Sequence, residues 1–318
     1  MTAVSTEALT QLSNTTFGIT LILYLLAAVA SFHHLAFHRR GVLTTGRVMG
    51  WTGLAVHAAS VVSRGLAAGR VPWGNLYEYV TVVGLLVVAA YLFTERVWRT
   101  EALGGFVLAL VVAGMGGATL IYVPPGPLVP ALNSYWLRIH VVMAMIGSAL
   151  FTLGFVFTVL SLLQVRKERR HAAALTPARA PALVGADGGG ERPADYVPAE
   201  EPDGSSAPAA PRGRLPSATT LDRLAYRTIV FAFPIWTMAV IFGAIWAEEA
   251  WGRYWGWDPK EVWSFITWVV FAAYLHARAT VGWRGTRAAV LAIVGFGALV
   301  FNLIVVNTVI AGLHSYAG

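Results

Sequence analysis

The chain reads Trp246-Ala-Glu-Glu-Ala-Trp-Gly-Arg-Tyr-Trp-Gly-Trp-Asp-Pro-Lys-Glu-Val-Trp263 between two long apolar runs, and we call this stretch the tryptophan-rich segment (246–263). Its position between apolar runs predicts that it lies at a membrane surface, where indole rings collect. A surface belt needs only a scattered Trp or two at each helix end. So many flat aromatic side chains in one short stretch indicate a platform for a large, flat, apolar ligand. Half of the 12 Trp of the chain lie in or just after the segment: Trp246, Trp251, Trp255, Trp257, Trp263 and Trp268.

The composition is that of a membrane protein. Hydrophobic residues make up 57% of the chain and charged residues 12%, and the mean hydropathy is +0.63. Soluble domains carry about twice that charged fraction. Apolar runs of roughly 20 residues are long enough to cross a bilayer as helices. We therefore predict an all-α polytopic membrane protein with about eight transmembrane helices, at 16–37, 47–66, 79–97, 104–122, 137–164, 225–246, 263–281 and 288–311.

Basic residues orient these helices. The first connection holds Arg39, Arg40 and Arg47, and the odd-numbered connections are richer in Lys and Arg than the even-numbered ones throughout. Because such loops stay in the cytoplasm, both termini and the tryptophan-rich segment are predicted to lie outside. The net charge of +7 thus reflects loops on one side and does not indicate a nucleic-acid partner.

The domain organisation follows from one interruption. Residues 166–222 are rich in Ala, Pro, Gly and charge, a composition that buries too little apolar surface to fold alone. We predict transmembrane helices 1–5 in residues 1–165, a disordered cytoplasmic linker at 166–222, and helices 6–8 with the external segment 246–263 in residues 223–318.

Two outer helices are predicted to start with capping boxes. Asp258-Pro-Lys-Glu261 has an acid at the N-cap, Pro at the first helical position and Glu at the third, and Asn75-Leu-Tyr-Glu78 has the same spacing. Such caps fix the ends of the aromatic loops that precede them. On this reading Asp258 serves as a cap and not as a catalyst.

Histidine is the candidate metal ligand. The chain has no Cys, which excludes thiolate ligands and iron–sulfur clusters from it. His140 is near the outer start of the fifth span, and His314 follows the outer end of the eighth, so both lie at the level of the tryptophan-rich segment. Two imidazoles facing each other across an aromatic platform could ligate a haem iron. The alternative is two interfacial His, each hydrogen-bonded to backbone.

The remaining His differ in depth. His276 is about 13 residues inside the seventh span, roughly 20 Å below the outer surface, and an ionisable group at that depth is a candidate functional residue. His57, His33 and His34 are expected to form helix–helix hydrogen bonds. Neither His38, at a cytoplasmic helix end, nor His171, in the linker, requires a site.

The tryptophan-rich segment resembles the "WWD" signature of haem-handling membrane proteins. Among these, the chain is similar to the CcsA/ResC family of system II cytochrome c biogenesis, called CcsB in some bacteria. The resemblance extends from about residue 70 to the end, in the family's order. It rests on Pro72–Glu78, Ser134–His140, Leu221–Thr228, Tyr274–Arg278 and Gly312–Tyr316.

The resemblance implies a haem site and its partners. It implies that His140 and His314 ligate an outer haem b, which is both ligand and substrate, and that His276 holds an intramembrane haem with a His of a CcsB/ResB/Ccs1-like membrane partner. Further expected partners are apocytochrome c, a thioredoxin-like thiol reductant and the lipid bilayer, at the bacterial plasma membrane with the active site on the periplasmic side. The residues expected to contact haem are Trp73, Asn75, Trp246, Trp251, Arg253, Trp255, Trp257, Asp258 and Trp263.

The implied function is to translocate haem to the outer face and present it for thioether attachment to a Cys-x-x-Cys-His segment. Arg253, Lys260 and Arg138 are candidate partners of the haem propionates. A haem transporter without ligation activity fits the topology equally, so the sequence leaves open whether the chain is part of an enzyme. A quinone- or haem-bearing respiratory subunit is disfavoured, because such subunits pair His within the spans and this pair is at the surface.

Overall fold

The computed structural model describes residues 5–98, 100–128, 132–175, 215–310 and 312. These residues form eight α-helices and no β-strand. Short 3-10 turns lie at Glu101–Leu103 and Thr119–Ile121, and α8 continues as a π-helix at Asn302–Val306. The α-helices are α1 (Thr6–Phe37), α2 (Arg40–Ala68), α3 (Leu76–Trp98), α4 (Gly104–Ala118), α5 (Tyr135–Leu175), α6 (Ala218–Trp251), α7 (Pro259–Ala279) and α8 (Thr286–Phe301).

The predicted class, an all-α polytopic membrane protein, is confirmed. Six helical segments among the described residues are long and apolar enough to cross a membrane, namely α1, α3, α4 with its flanking turns, α5, α6, and α8 with its π-helix. α2 and α7 are long enough but more polar, since α2 carries Arg47 and Arg64 and α7 carries Lys260 and Arg278. The number of spans and the orientation of the termini therefore stay predictions.

Small residues allow the helices to approach each other closely. A Cβ at Gly154 of α5 would lie 2.9 Å from Ile229 of α6, and a Cβ at Gly53 of α2 would lie 2.6 Å from the Tyr24 ring of α1. Glycine at such positions is how membrane helices gain packing contacts in the absence of a hydrophobic drive between them. The same α1–α2 contact brings Tyr24 Oη to 3.3 Å from His57 Nδ1, which confirms the helix–helix hydrogen bond predicted for His57.

Two buried cores meet along α5. One lies among α1, α3 and α4 and includes Leu153 and Phe157 of α5. The other lies among α5, α6, α7 and α8, where Phe151 and Phe271 stack at 3.8 Å between ring centroids. α5 therefore contributes one face to each half of the molecule.

The predicted ends of the linker are wrong. α5 continues through residues 166–175 and α6 begins at Ala218, so only 176–217 is left between these helices. Apart from His171, residues 166–174 are Arg, Lys, Glu and Ala, which have high helix propensity and extend a helix once it has started. Glu168 Oε1 also accepts a hydrogen bond from Ala218 N at 3.0 Å and ties the two helix ends together. Residues 176–214, the middle of the predicted disordered linker, lie outside the described residues.

Candidate functional site

A cavity lies between the N-terminal ends of α3, α5 and α7 and the C-terminal ends of α6 and α8. Its walls are mostly apolar, with Leu137, Val240 and Leu303 facing it from three helices. We call it the aromatic cavity. The aromatic side chains that line it are Trp73, Tyr79, Trp236, Trp246, Tyr254 and Trp255.

Besides Lys260, five of the predicted site residues line the aromatic cavity. They come from four separate stretches of chain, so only the fold brings them together. The loop before α3 contributes two, α5 and α6 one each, and the loop before α7 one. They are Trp73, Asn75, His140, Trp246 and Trp255.

The other predicted contacts do not line the aromatic cavity. Trp251 packs edge-on against Trp246 at 4.8 Å, and Trp263 packs on Phe301 of α8 at 4.0 Å. The Trp257 side chain is 72% exposed and its backbone has φ +59°, which is costly for a bulky residue. Three of the five Trp of the tryptophan-rich segment therefore support the loop or face outward.

Arg253 and Asp258 shape the loop between α6 and α7. The Arg253 guanidinium lies over Gly256, where a Cβ would be 0.6 Å from Arg253 Nη1, so a larger residue there would displace the guanidinium. Asp258 is the N-cap of α7, and its Oδ1 accepts a hydrogen bond from Lys260 N at 3.0 Å. A Cβ on Gly312 would lie 2.7 Å from Asp258 Oδ2, so the chain after α8 returns to the start of α7.

The orientation of His140 suits it for metal ligation. Its Nδ1 lies 2.7 Å from the carbonyl oxygen of Ala239 on α6. Because a carbonyl can only accept, Nδ1 must donate, and in the neutral ring Nε2 is then the nitrogen that can ligate a metal. Outer hydrogen bonds of this kind fix the ring of metal-ligating His. Gly243 permits the close approach, since a Cβ there would lie 2.7 Å from His140 Nδ1.

Buried charges hold the loop that carries Trp73. The side chain of Glu78 is 0% exposed and accepts from Arg64 Nε at 2.9 Å, Arg70 Nη1 at 2.8 Å and Gly74 N at 2.7 Å. Asn75 Oδ1 caps α3 by accepting from Glu78 N at 2.9 Å. Only one of the two hydrogen bonds of the predicted capping box is thus formed. The Glu78 carboxylate accepts from Gly74 N and the two Arg instead of from Asn75 N.

The box predicted at the start of α7 is confirmed. Asp258 caps the helix, and Glu261 Oε2 accepts from Asp258 N at 3.0 Å and also from Gly256 N at 2.8 Å. One carboxylate oxygen therefore satisfies two backbone donors of the loop. Glu261 also lines the aromatic cavity.

A polar group of side chains lines the cavity between α7 and α8. Lys260 Nζ donates to Asn307 Oδ1 at 2.6 Å, and Asn302 Nδ2 donates to Ser264 Oγ at 2.9 Å. Asn307 Nδ2 in turn donates to the carbonyl oxygen of Leu303 at 2.6 Å, inside the π-helix. π-helical turns are often found at functional sites, and here the turn places two amides on one wall.

Of the two other predicted iron ligands, His276 does not line this cavity. His276 lies in the last turn of α7, exposed, with Nδ1 3.3 Å from Thr280 Oγ1. Nearby, Arg278 pairs with Asp222 of α6 at 2.7 Å. His314 lies outside the described residues.

Seven buried side-chain polar atoms have no hydrogen-bond partner among the described residues, and three of them belong to residues that line this cavity. These three are Trp73 Nε1, Glu261 Oε1 and Asn302 Oδ1. An unsatisfied buried polar atom costs free energy, about 1–3 kcal/mol each, so native structures rarely carry a group of them. An apolar cavity with a few unpaired polar atoms around it is typical of a ligand-binding site.

Comparison with known proteins identifies the family. The family model described as "Cytochrome C assembly protein" matches residues 73–314. The chain belongs to this family. The match begins at Trp73 and ends at His314, so it contains every residue predicted for the site.

Named relatives agree with the family. The cytochrome c biogenesis protein CcsA of Synechococcus sp. strain JA-2-3B'a(2-13) is 37% identical over 285 residues, which is 81% of each chain. CcsA of Synechococcus elongatus is 38% identical over 288 residues, 84% of this chain and 87% of the relative. CcsA of Gloeobacter violaceus is 36% identical over 282 residues, 80% of this chain and 81% of the relative.

A solved structure shares the fold. The structure titled cytochrome c heme lyase CcmF superposes with a TM-score of 0.65 at 16% sequence identity. The superposition covers 95% of this chain and 47% of that one, so the chain spans about half the length of this structural relative. At this identity the structural similarity supports only the arrangement of the helices described above.

Proposed function

We propose that this family member binds haem b in the aromatic cavity and presents it for attachment to apocytochrome c. The observation that carries the proposal is the hydrogen bond from His140 Nδ1 to Ala239 O on one wall of an apolar, aromatic cavity. This bond makes Nε2 the acceptor nitrogen of a half-buried imidazole, and that imidazole lines a space suited to a flat apolar ligand.

The second iron ligand in this proposal is His314. It follows Gly312 by two residues, and Gly312 lies against Asp258 at the start of α7. Two imidazoles would hold the iron in a bis-histidine site. Flat rings from Trp73, Trp246 and Trp255 would cover the macrocycle. The other Trp of the segment, which do not line the cavity, would not contact the haem; they are Trp251, Trp257 and Trp263.

A haem propionate would pair with Lys260. Its Nζ already donates to Asn307 Oδ1 at 2.6 Å, and both residues line the aromatic cavity. An ammonium held by an amide on a mostly apolar wall gives a carboxylate one defined binding position. Arg253, whose guanidinium lies over Gly256, would instead hold the loop.

A second haem position would lie at His276. This side chain is exposed in the last turn of α7, so a His of a CcsB/ResB-like membrane partner could complete the ligand set. Haem would then move from the cytoplasmic side to the aromatic cavity on the periplasmic side of the plasma membrane. A thioredoxin-like protein would keep the apocytochrome thiols reduced, because the thiolate is the reactive form.

A reconstituted complex tests the proposed function. The chain, purified with its membrane partner, is expected to show the absorption spectrum of bis-histidine haem and to attach that haem to a reduced Cys-x-x-Cys-His peptide. Binding without attachment would favour the alternative of a haem transporter. If the purified complex binds no haem, the proposal is contradicted.

Gly243 offers a test of the orientation of His140. Alanine at this position would place Cβ 2.7 Å from His140 Nδ1 and displace the ring from Ala239 O. Removing such an outer partner of a metal ligand costs about 10- to 100-fold in affinity. We therefore expect haem affinity to fall by that factor in Gly243→Ala, measured by titrating haem into the purified complex.

Gly297→Ala is the matched control for this variant. Gly297 is in the interior of α8, and nothing lies within 4 Å of a Cβ built there. Both substitutions replace a helical glycine by a better helix former, so any difference in haem affinity reports the contact with His140. Equal affinities in the two variants would show that the Ala239 bond does not orient an iron ligand.

A further inference from the structure

Glu261 has one carboxylate oxygen that the fold uses and one that it does not. Oε2 accepts from Gly256 N at 2.8 Å and from Asp258 N at 3.0 Å, which closes the loop onto the start of α7. Oε1 is buried and accepts no hydrogen bond from any described residue. Capping of the helix therefore accounts for the position of Oε2 and gives no role to Oε1.

Glu261 is also the one acidic residue among the described residues that line the aromatic cavity. Other carboxylates close to the cavity are already engaged. Both oxygens of Glu78 accept from Arg side chains, and Asp258 Oδ1 accepts from Lys260 N. A buried, unpaired carboxylate oxygen in a residue that lines a cavity destabilises the fold, and such groups are typical of functional sites.

We propose that Glu261 carries the proton in the thioether-forming step, an inference that rests on the proposed function. The carboxylate accepts the proton of an apocytochrome Cys thiol, and the thiolate sulfur bonds to the vinyl carbon next to the porphyrin ring. The vinyl double bond becomes a single bond, and the carboxylic acid returns the proton to the terminal vinyl carbon. One S–H bond breaks, one C–S and one C–H bond form, and no oxidant or reductant is consumed.

The fixed position of Glu261 suits a proton carrier. Two backbone donors on Oε2 hold the carboxylate plane, so Oε1 keeps one fixed position in a side chain that lines the cavity. A positioned acid or base of this kind contributes about 10²- to 10⁴-fold to a rate. The basic side chain beside it, Lys260, donates to Asn307 Oδ1 and is assigned to the propionate.

Glu261→Gln tests the proposal because both cap hydrogen bonds use the same oxygen. The Gln amide oxygen can accept from Gly256 N and Asp258 N, while its NH₂ replaces Oε1. The variant thus keeps the cap and removes the proton acceptor. In the complex with its membrane partner, we expect an unchanged haem spectrum and a rate of attachment to a reduced Cys-x-x-Cys-His peptide that is lower by about 10²- to 10⁴-fold.

The control is Glu249→Gln. Glu249 accepts from Ser134 Oγ at 2.5 Å at the end of α6 and does not line the cavity, so attachment should continue at the wild-type rate. A wild-type rate in Glu261→Gln would overturn the proposal, and so would loss of its haem spectrum, which would leave Glu261 a role in the cap alone. Failure of the wild-type complex to bind haem would instead contradict the proposed function, so the two failures are distinguishable.

Discussion

Replacing Glu78 with alanine is expected to lower the free energy of unfolding by about 3–5 kcal/mol, the usual cost of breaking a buried ion pair from one side. The Glu78 side chain is 0% exposed and forms ion pairs with Arg64, whose side chain is 3% exposed, and Arg70, whose side chain is 13% exposed. Without the carboxylate, a buried guanidinium keeps its charge and loses its partner. Unfolding of the purified protein by SDS in mixed micelles measures the change.

The same substitution is expected to loosen the loop before α3. Gly74 N loses its acceptor, and Arg70 loses the ion pair that accompanies its hydrogen bond to Gly126 O at 2.8 Å. Trp73, which lines the aromatic cavity, is carried by this loop, so haem binding should weaken together with stability. Proteolysis confined to residues 70–76 would locate the loosening.

Glu101→Ala provides the comparison for Glu78→Ala. Glu101 also pairs with an Arg, at 2.7 Å from Arg47 Nη2, but both side chains are more than a third exposed. Exposed pairs are worth up to about 1 kcal/mol. Similar losses of stability in the two variants would mean that the buried pairs contribute no more than the surface pair.

The helices could be predicted from the sequence because membranes leave little choice. A run of 20 apolar residues must satisfy its own backbone, and a helix is the means available to a single segment. The ends of α5 and α6 could not be predicted in this way. Their extensions at 166–175 and 218–222 lie beyond the apolar runs, where the hydrogen bond from Ala218 N to Glu168 and ordinary helix propensity decide the boundary.

Part of the site could be predicted as well. His140 and Trp73 stand out by residue type and by their place at outer helix ends, and both line the aromatic cavity. The individual roles of the Trp residues could not be predicted, because side chains two residues apart in a loop can face opposite ways. Trp255 lines the cavity, whereas Trp257 is 72% exposed.

Several residues that line the cavity were not predicted from the sequence, although the sequence pattern marks some of them as unusual. Asn302 and Asn307 are two amides in an otherwise apolar span, five residues apart, which is the spacing of the π-helix that aligns them. Polar residues in a membrane helix are candidates for function by default. Glu261 was read as a cap, and only the structure separates its two oxygens.

Replacing His140 with alanine is expected to weaken haem retention by at least about 100-fold. Losing an outer partner of a ligand costs 10- to 100-fold, and the ligand itself should cost no less. The substitution leaves space beside Ala239 O that added imidazole can fill, so imidazole should restore the bis-histidine absorption spectrum. His171→Ala, an exposed position on the same helix, should retain haem as the wild type does.

The His140 and Gly243 variants together separate ligation from packing. If His140 supplies an iron ligand through Nε2, haem affinity should fall in the order wild type, Gly243→Ala, His140→Ala, because the first variant misplaces the ring and the second removes it. If His140 only packs against α6, neither single variant should lower haem affinity below that of the Gly297→Ala control. Imidazole would then change neither spectrum nor affinity. Haem titration of the two single variants and the Gly297→Ala control, each with and without imidazole, decides between these readings.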